Sequence, residues 1–291
     1  MIRANGREYN GTIASPCFKG GEFSCFSCHE MHPDKTDPAT LHAWAEDQMG
    51  PQMKTNQACL QCHENFATNL SAHTNHAIGS SGSSCQNCHM PYTTLGLMKA
   101  VRSHQISSPN AHESLAYGRP NACSLCHLDQ PLAWAAEKMH DWYGHDIPAM
   151  NQDDRELSAG AKWILKGDAS QRTLMVSSMG WQPAQQASGY DWFYPYLAFA
   201  LNDPYAVTRF RAWKSLQSLP GFADFKYDYT VGDSVQKVDS ARAYQQWWHQ
   251  QRDPYKTYRW QTILRPSGDF RQETYERLLS ERDNSPIFLV E

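Results

Sequence analysis

Apolar positions fall into two different patterns along the 291 residues. From about residue 150 onward they recur at helical spacing. The segments are roughly Glu156 to Leu165, Ala169 to Met179, Trp192 to Leu201, Tyr205 to Leu216, Ser240 to Gln251 and Phe270 to Leu279. The stretch Asn202-Asp203-Pro204-Tyr205 predicts a helix start, with Asp at the cap and Pro at the first helical position. Pro220-Gly221 stops the chain afterwards. Val207, Phe210, Trp213 and Leu216 follow at spacings of three and predict a core-facing stripe. Arg209, Arg211 and Lys214 predict a solvated face. Successive helices of this length with short turns predict helical hairpins, stacked in HEAT-like fashion.

Before residue 150 no such periodicity is sustained. Short helices are expected over Leu41 to Met49 and Leu132 to Gly144, within polar, irregular sequence. The fold class expected is therefore mainly α, with an irregular/α region over 1–150 and an all-α region over 151–291.

Composition sharpens that division. Hydrophobic content of 41% with 12% aromatics makes disorder the wrong default. No run approaches the roughly 18 consecutive apolar residues of a membrane span, and Met1 to Asn10 lacks the apolar core of a signal peptide. Residues 1–150 carry 9 Lys+Arg against 13 Asp+Glu, whereas 151–291 carry 17 of each. Twelve of the 13 histidines and all nine cysteines lie in the first part, while seven of the ten tryptophans lie in the second. Two such different chemistries predict two domains, 1–150 and 151–291.

The histidines and cysteines are not scattered. Cys25-Phe26-Ser27-Cys28-His29, Cys59-Leu60-Gln61-Cys62-His63, Cys85-Gln86-Asn87-Cys88-His89 and Cys123-Ser124-Leu125-Cys126-His127 repeat one spacing four times. Thiols three positions apart reach the two vinyl groups on one haem edge, and the adjacent His aims its imidazole at the iron. Four covalent c-type haems are thus expected, with His29, His63, His89 and His127 as proximal ligands. Paired Cys-x-x-Cys motifs also make zinc sites, but a four-thiolate site gives the trailing His no role. A disulfide scaffold fails for the same reason. Covalent attachment lets a stretch poor in apolar side chains fold around haem edges, which replace a hydrophobic core.

What fills each iron's second axial position separates a carrier from a catalyst. His32, His73, His76 and His104 are candidate distal ligands. His32, three residues after His29, is too close to ligate the same iron from the opposite face and would reach a neighbouring haem. His73 and His76 sit between the second and third motifs, and His104 between the third and fourth. His42 and His112 are further candidates, although His42 opens a short helix and His112 follows a turn it could cap. His140 and His145 belong to the helical stretch Leu132 to Gly144 and its exit, and His249, among Trp247, Trp248 and Gln250, reads as structural. Met31, Met90 and Met98 are read as packing on porphyrin, because the histidine surplus makes bis-His ligation the simpler assumption. Cys17 is left over and reads as a free thiol.

These residues carry a resemblance. Ser24 to Gly144 resembles multihaem cytochromes related to the cytochrome c-554 group. The similar features are Cys-His-Glu-Met-His at 28–32, His-Thr-Asn-His at 73–76, Cys-His-Met-Pro at 88–91, Ser-His-Gln-Ile-Ser-Ser-Pro at 103–109 and Pro-Asn-Ala-Cys-Ser-Leu-Cys-His at 120–127. The tail, with Gly167-Asp168-Ala169 and Asp203-Pro204-Tyr205, is similar to HEAT-like regions fused to some of them. The resemblance implies bis-His haems in close pairs, with His32, one or both of His73 and His76, and His104 as distal ligands. It also implies a periplasmic or extracellular location, where such haems are attached. Further motifs and a signal peptide often precede this region, so the chain is expected to be the C-terminal portion of a longer product or a processed form.

Three functions compete. The first is electron transfer between redox partners, which the acidic haem half and about one further negative charge per ferric haem would make basic. The second is a multihaem oxidoreductase with one open iron acting on a small nitrogen or sulfur species. The third is a haem subunit docked through its helical tail into a larger complex or filament. No Gly-x-Ser-x-Gly, P-loop or His-Glu-x-x-His motif occurs, and no nucleic-acid partner is expected. If each motif holds one haem, replacing Cys123 and Cys126 together by alanine lowers the haem count from four to three per chain, as read by intact mass and pyridine haemochrome absorbance.

Overall fold

Polar side chains at fixed offsets start the helices of this protein. Asp168 accepts the Gln171 amide while the Gln171 side chain returns to the Asp168 amide, a reciprocal capping box. Asn151, Ser158, Asp37 and Asn110 cap other helices through one side-chain oxygen each. A computed structural model of the chain describes residues 3–4, 8–32, 37–46, 48–96, 98–250, 252–253 and 255–285. It is mainly helical, as the sequence pattern predicts.

The chain packs as two compact units. One comprises residues 6–91 and 102–108, and the other 1–5, 92–101 and 109–291. The first three Cys-x-x-Cys-His motifs belong to the former. The fourth lies in the latter, with the helices that follow it.

The first unit contains short helices only: α1 (Glu8–Ala14), α2 (Pro16–Lys19), α3 (Pro38–Ala45), α4 (Gln57–Leu60), α5 (Leu70–Thr74) and α6 (Cys85–His89). Its buried side chains, Thr12, Ser15, Ser83, Gln86 and Ser103, are all polar. Among the described residues every buried apolar side chain lies at or beyond Ala111. A polypeptide that buries no apolar side chain lacks the main favourable term of folding.

The second unit opens with a small sheet. β1 (Arg3–Ala4) runs parallel to β2 (Thr94–Gly96), which pairs antiparallel with β3 (Lys99–Val101). The helices follow: α7 (Ala111–Tyr117), α8 (Leu132–Tyr143), α9 (Gln152–Glu156), α10 (Ala159–Lys166), α11 (Ala169–Met179), α12 (Gln182–Ser188), α13 (Phe193–Ala200), α14 (Ala206–Gln217), α15 (Asp233–Gln250) and α16 (Gln272–Ser280). α11 packs on α10 and α14, and α13 on α14 and α15. Their shared core includes Ile164, Leu174, Met175, Phe193, Tyr196 and Trp247, and also Leu125 from the fourth motif and Leu128 just after it.

The predicted helices are present with shifted ends, and beyond residue 150 α9 and α12 are additional. α14 corrects two expectations. It starts after Tyr205 rather than at Pro204, because Asp203 does not cap it. The Asp203 carboxylate is buried and paired with Arg172 at 2.7 and 3.1 Å and with Arg282. The buried face of α14 is Thr208, Arg209, Ala212, Ser215 and Leu216, with Val207, Phe210 and Trp213 only half-buried. Arg209 is not solvated. It donates to the carbonyls of Tyr229, Asp203 and Pro204, so its charge is buried among acceptors. Arg211 is half-buried and donates to Ser177 Oγ, whereas Lys214 is exposed as expected. Replacing Asp203 by alanine would leave Arg172, which is 1% exposed, without its counter-charge. The expected loss is about 3–5 kcal/mol, measured as a lower urea midpoint by far-UV circular dichroism.

Candidate haem sites

One helical turn brings two thiols and an imidazole together in each motif. The amide of the motif His donates to the carbonyl of the first Cys at 2.9 Å for His29, 3.0 Å for His63 and 2.8 Å for His127. The third motif is itself α6. Residues i, i+3 and i+4 therefore share one face, the arrangement a covalently held haem needs. The first motif is further held by an antiparallel bridge between His29 and Met49, with Glu30 N–H to the Gln48 carbonyl and Gly50 N–H to that of Cys28.

Intervening residues join the motifs. Gln61, inside the second, donates to the carbonyl of Ser27, inside the first, at 3.0 Å. Asn56, just before α4, donates to the Ser83 carbonyl at 2.8 Å and accepts the Cys85 amide at 2.9 Å. Gln86 donates to the Met53 carbonyl, and Arg102 spans the Gln86 and Met90 carbonyls and the Asn87 side chain. The thiols converge accordingly. A hydrogen bond between Cys59 and Cys85 raises the former's pKa and draws the latter down to about 7. Burial, then Cys17 and Cys62, push the Cys28 thiol up.

Two imidazole pairs stand out. The rings of His29 and His104 face each other at 6.2 Å between centroids with planes 20° apart. Those of His73 and His89 do so at 6.2 Å and 6°. A metal held by two imidazoles through nitrogens about 2.0–2.1 Å away sets the ring centres roughly 6 Å apart. Burial is the first cause that pushes His89 and His104 below the usual imidazole range, towards the neutral form a metal requires. His89 Nδ1 sits 3.2 Å from the Ser107 carbonyl, the kind of second bond that fixes a ligating ring. His104 Nδ1 is buried with no hydrogen-bond partner. Two pairs of imidazoles at this separation and a unit that buries no apolar side chain among its described residues fit bound haem.

Other candidates are placed differently. His76 follows Asn75, which has a left-handed backbone, and its Nδ1 lies 2.6 Å from the Thr74 carbonyl. Its ring lies flush on Gly82, where a Cβ would fall inside the imidazole. His32 and His42 are exposed, and the ring next to His63 is that of Phe66, at 6.3 Å. His112 is exposed on the first turn of α7, which Asn110 caps instead. It lines a groove of about 310 Å³ with Met139, His145 and Asp146. His127 packs against Trp134 at 4.7 Å, and Ser188 Oγ brackets it by bonding the Cys126 carbonyl and the Leu128 amide. The joining residues Asn56, Gln61, Gln86 and Arg102 went unread in the sequence, where only the amides among the motif's x positions hint at them.

Residues 72–171 match the family model of cytochrome c552, a multihaem c-type cytochrome family. The matched stretch contains the third and fourth motifs and implies covalently bound c-type haem and haem-based electron transfer. No curated protein and no solved structure matches the chain. Among the described residues no helix is long and apolar enough to cross a membrane. Replacing Asn56 by alanine removes both bonds between the second and third motifs. The expected cost is about 1–3 kcal/mol, seen as a lower urea midpoint when the haem-loaded protein is followed by its Soret band.

Proposed function

We propose that the protein carries electrons through four covalently bound haems, mostly with two histidine ligands each, between redox partners. The observation that carries the reading is the pair of facing imidazoles, His29 with His104 and His73 with His89, each joining a motif histidine to one outside the motifs. In this reading Cys25, Cys28, Cys59, Cys62, Cys85, Cys88, Cys123 and Cys126 hold the haems, and His63 and His127 are proximal ligands of the second and fourth. His32, His76, His42 and His112 are the pool for the remaining distal positions. When bound, each haem supplies a one-electron ferric/ferrous couple.

The chain's own residues then have definite tasks. Two opposed imidazoles keep the coordination the same in both oxidation states, so little reorganises when an electron arrives. The amide bonds from Asn56, Gln61 and Gln86 hold neighbouring motifs at fixed separation, which electron transfer requires. Residues 1–150 carry the haems in this proposal, and 151–291 form a HEAT-like docking region for basic redox partners or a larger complex or filament. Kinship to the c-554 group and a periplasmic or extracellular site belong to the same reading.

A second reading, an oxidoreductase with one open iron, is favoured at one place. His63 is exposed and its neighbouring ring is a phenylalanine. Electron paramagnetic resonance of the oxidised holoprotein separates the two. Four low-spin signals and no cyanide or nitrite binding are expected of the carrier, whereas one high-spin, ligand-binding haem would replace it with the enzyme. His73→Ala is expected to turn one low-spin haem high-spin, and an unchanged spectrum would remove His73 as a ligand.

A further inference from the structure

Metal-bound histidines ordinarily gain their orientation from a hydrogen bond on the second ring nitrogen. His89 has such a contact with the Ser107 carbonyl. His104 differs. Its Nδ1 is buried without a partner, and the Arg102 carbonyl favours its charged form without completing a bond to Nδ1. With no hydrogen bond on Nδ1, the ring's place opposite His29 depends more on the backbone that carries it.

Ser103 N–H bonds the Pro91 carbonyl and Ser107 N–H that of His89 on either side of this segment, and the grip on His104's own carbonyl comes from Ser15. Ser15, fully buried at the break between α1 and α2, lies far from His104 in sequence. Its Oγ is 3.1 Å from the His104 carbonyl and accepts the Ile106 amide at 3.0 Å, while also lying 3.0 Å from the Gly11 carbonyl. One hydroxyl thus ties the chain just after the ligand ring, across Gln105, through the carbonyl of His104 itself. A bridge of this kind recurs at the fourth motif, one residue differently placed, where Ser188 bonds the Cys126 carbonyl and the Leu128 amide on either side of His127 itself. His127 is also tethered by its own motif cysteines. His104 has no such tether, so its bridge bears more on its position.

Resting on the haem reading above, we propose that Ser15 is the positioning residue that holds His104 on the iron bound by His29. Without the Ser15 hydroxyl, the His104 carbonyl and Ile106 amide lose a shared partner, and the ring drifts from the iron. The sixth position of that haem then becomes open to outside ligands. A lost buried hydrogen bond of this kind is expected to speed cyanide uptake at one haem by roughly tenfold.

The test compares Ser15→Ala, the nearly isosteric Ser15→Cys and His104→Ala in the haem-loaded protein. Resonance spectra, cyanide-binding rates and haem content are the readouts. The proposal expects His104→Ala to make one haem high-spin and Ser15→Ala to give the same signal partially with faster cyanide binding. Ser15→Cys should fall between Ser15→Ala and wild type. If His104→Ala opens a haem while a fully loaded Ser15→Ala keeps wild-type spectra and rates, the proposal is overturned and the ligand reading stands. If His104→Ala changes no spectrum, the ligand reading fails as well. If both Ser15 variants fail to load four haems while His104→Ala loads them, Ser15 serves overall packing and the proposal is again overturned.

Discussion

The unit of residues 6–91 and 102–108 buries no apolar side chain among its described residues, and the remaining features follow from that constraint. Burial of apolar surface is the main term that offsets chain entropy, and here the side chains do not provide it. Three Cys-x-x-Cys-His motifs in this unit, and the short helices around them, make sense if porphyrin faces provide it. The second unit shows the ordinary solution: Leu125 and Leu128 seat the fourth motif in the same core as Phe193, Leu174 and Trp247.

A fold assembled around cofactors, as proposed for this unit, would have to hold them in register. In the first unit this falls to polar side chains. Asn56, Gln61 and Gln86 cross between the motif segments with one or two hydrogen bonds each, and Arg102 ties the segment before His104 to the third motif with three. Such bonds are individually modest but directional, which suits them to setting distances rather than to driving collapse. In the helical unit the buried Arg172–Asp203–Arg282 cluster has a comparable role, tying α11 and the turn before α14 to the end of α16.

The departures from expectation have one cause. Helical periodicity gives the existence of a helix, but its face and ends depend on what lies opposite. In α14 the aromatic positions Phe210 and Trp213 looked like core. Thr208, Arg209 and Ser215 are the buried ones, because α11 presents Thr173 Oγ1 to Thr208 and the Val176 carbonyl to Ser215. Asp203 looked like a helix cap, but its carboxylate accepts only the Tyr205 amide, just ahead of α14, and is otherwise paired with Arg172 and Arg282 from distant parts of the chain.

The four pentapeptides needed no tertiary structure to be read, because thioether formation and proximal ligation use residues within one helical turn. The same holds for the mainly α class, whose signal is a local period. Distal partners are another matter. His104 lies far along the chain from His29, and sequence spacing alone could not choose it over His32 or His76. Only the folded chain set its ring 6.2 Å from His29 and placed Ser15 against its backbone. Both relations join residues far apart in sequence, and no local rule encodes them.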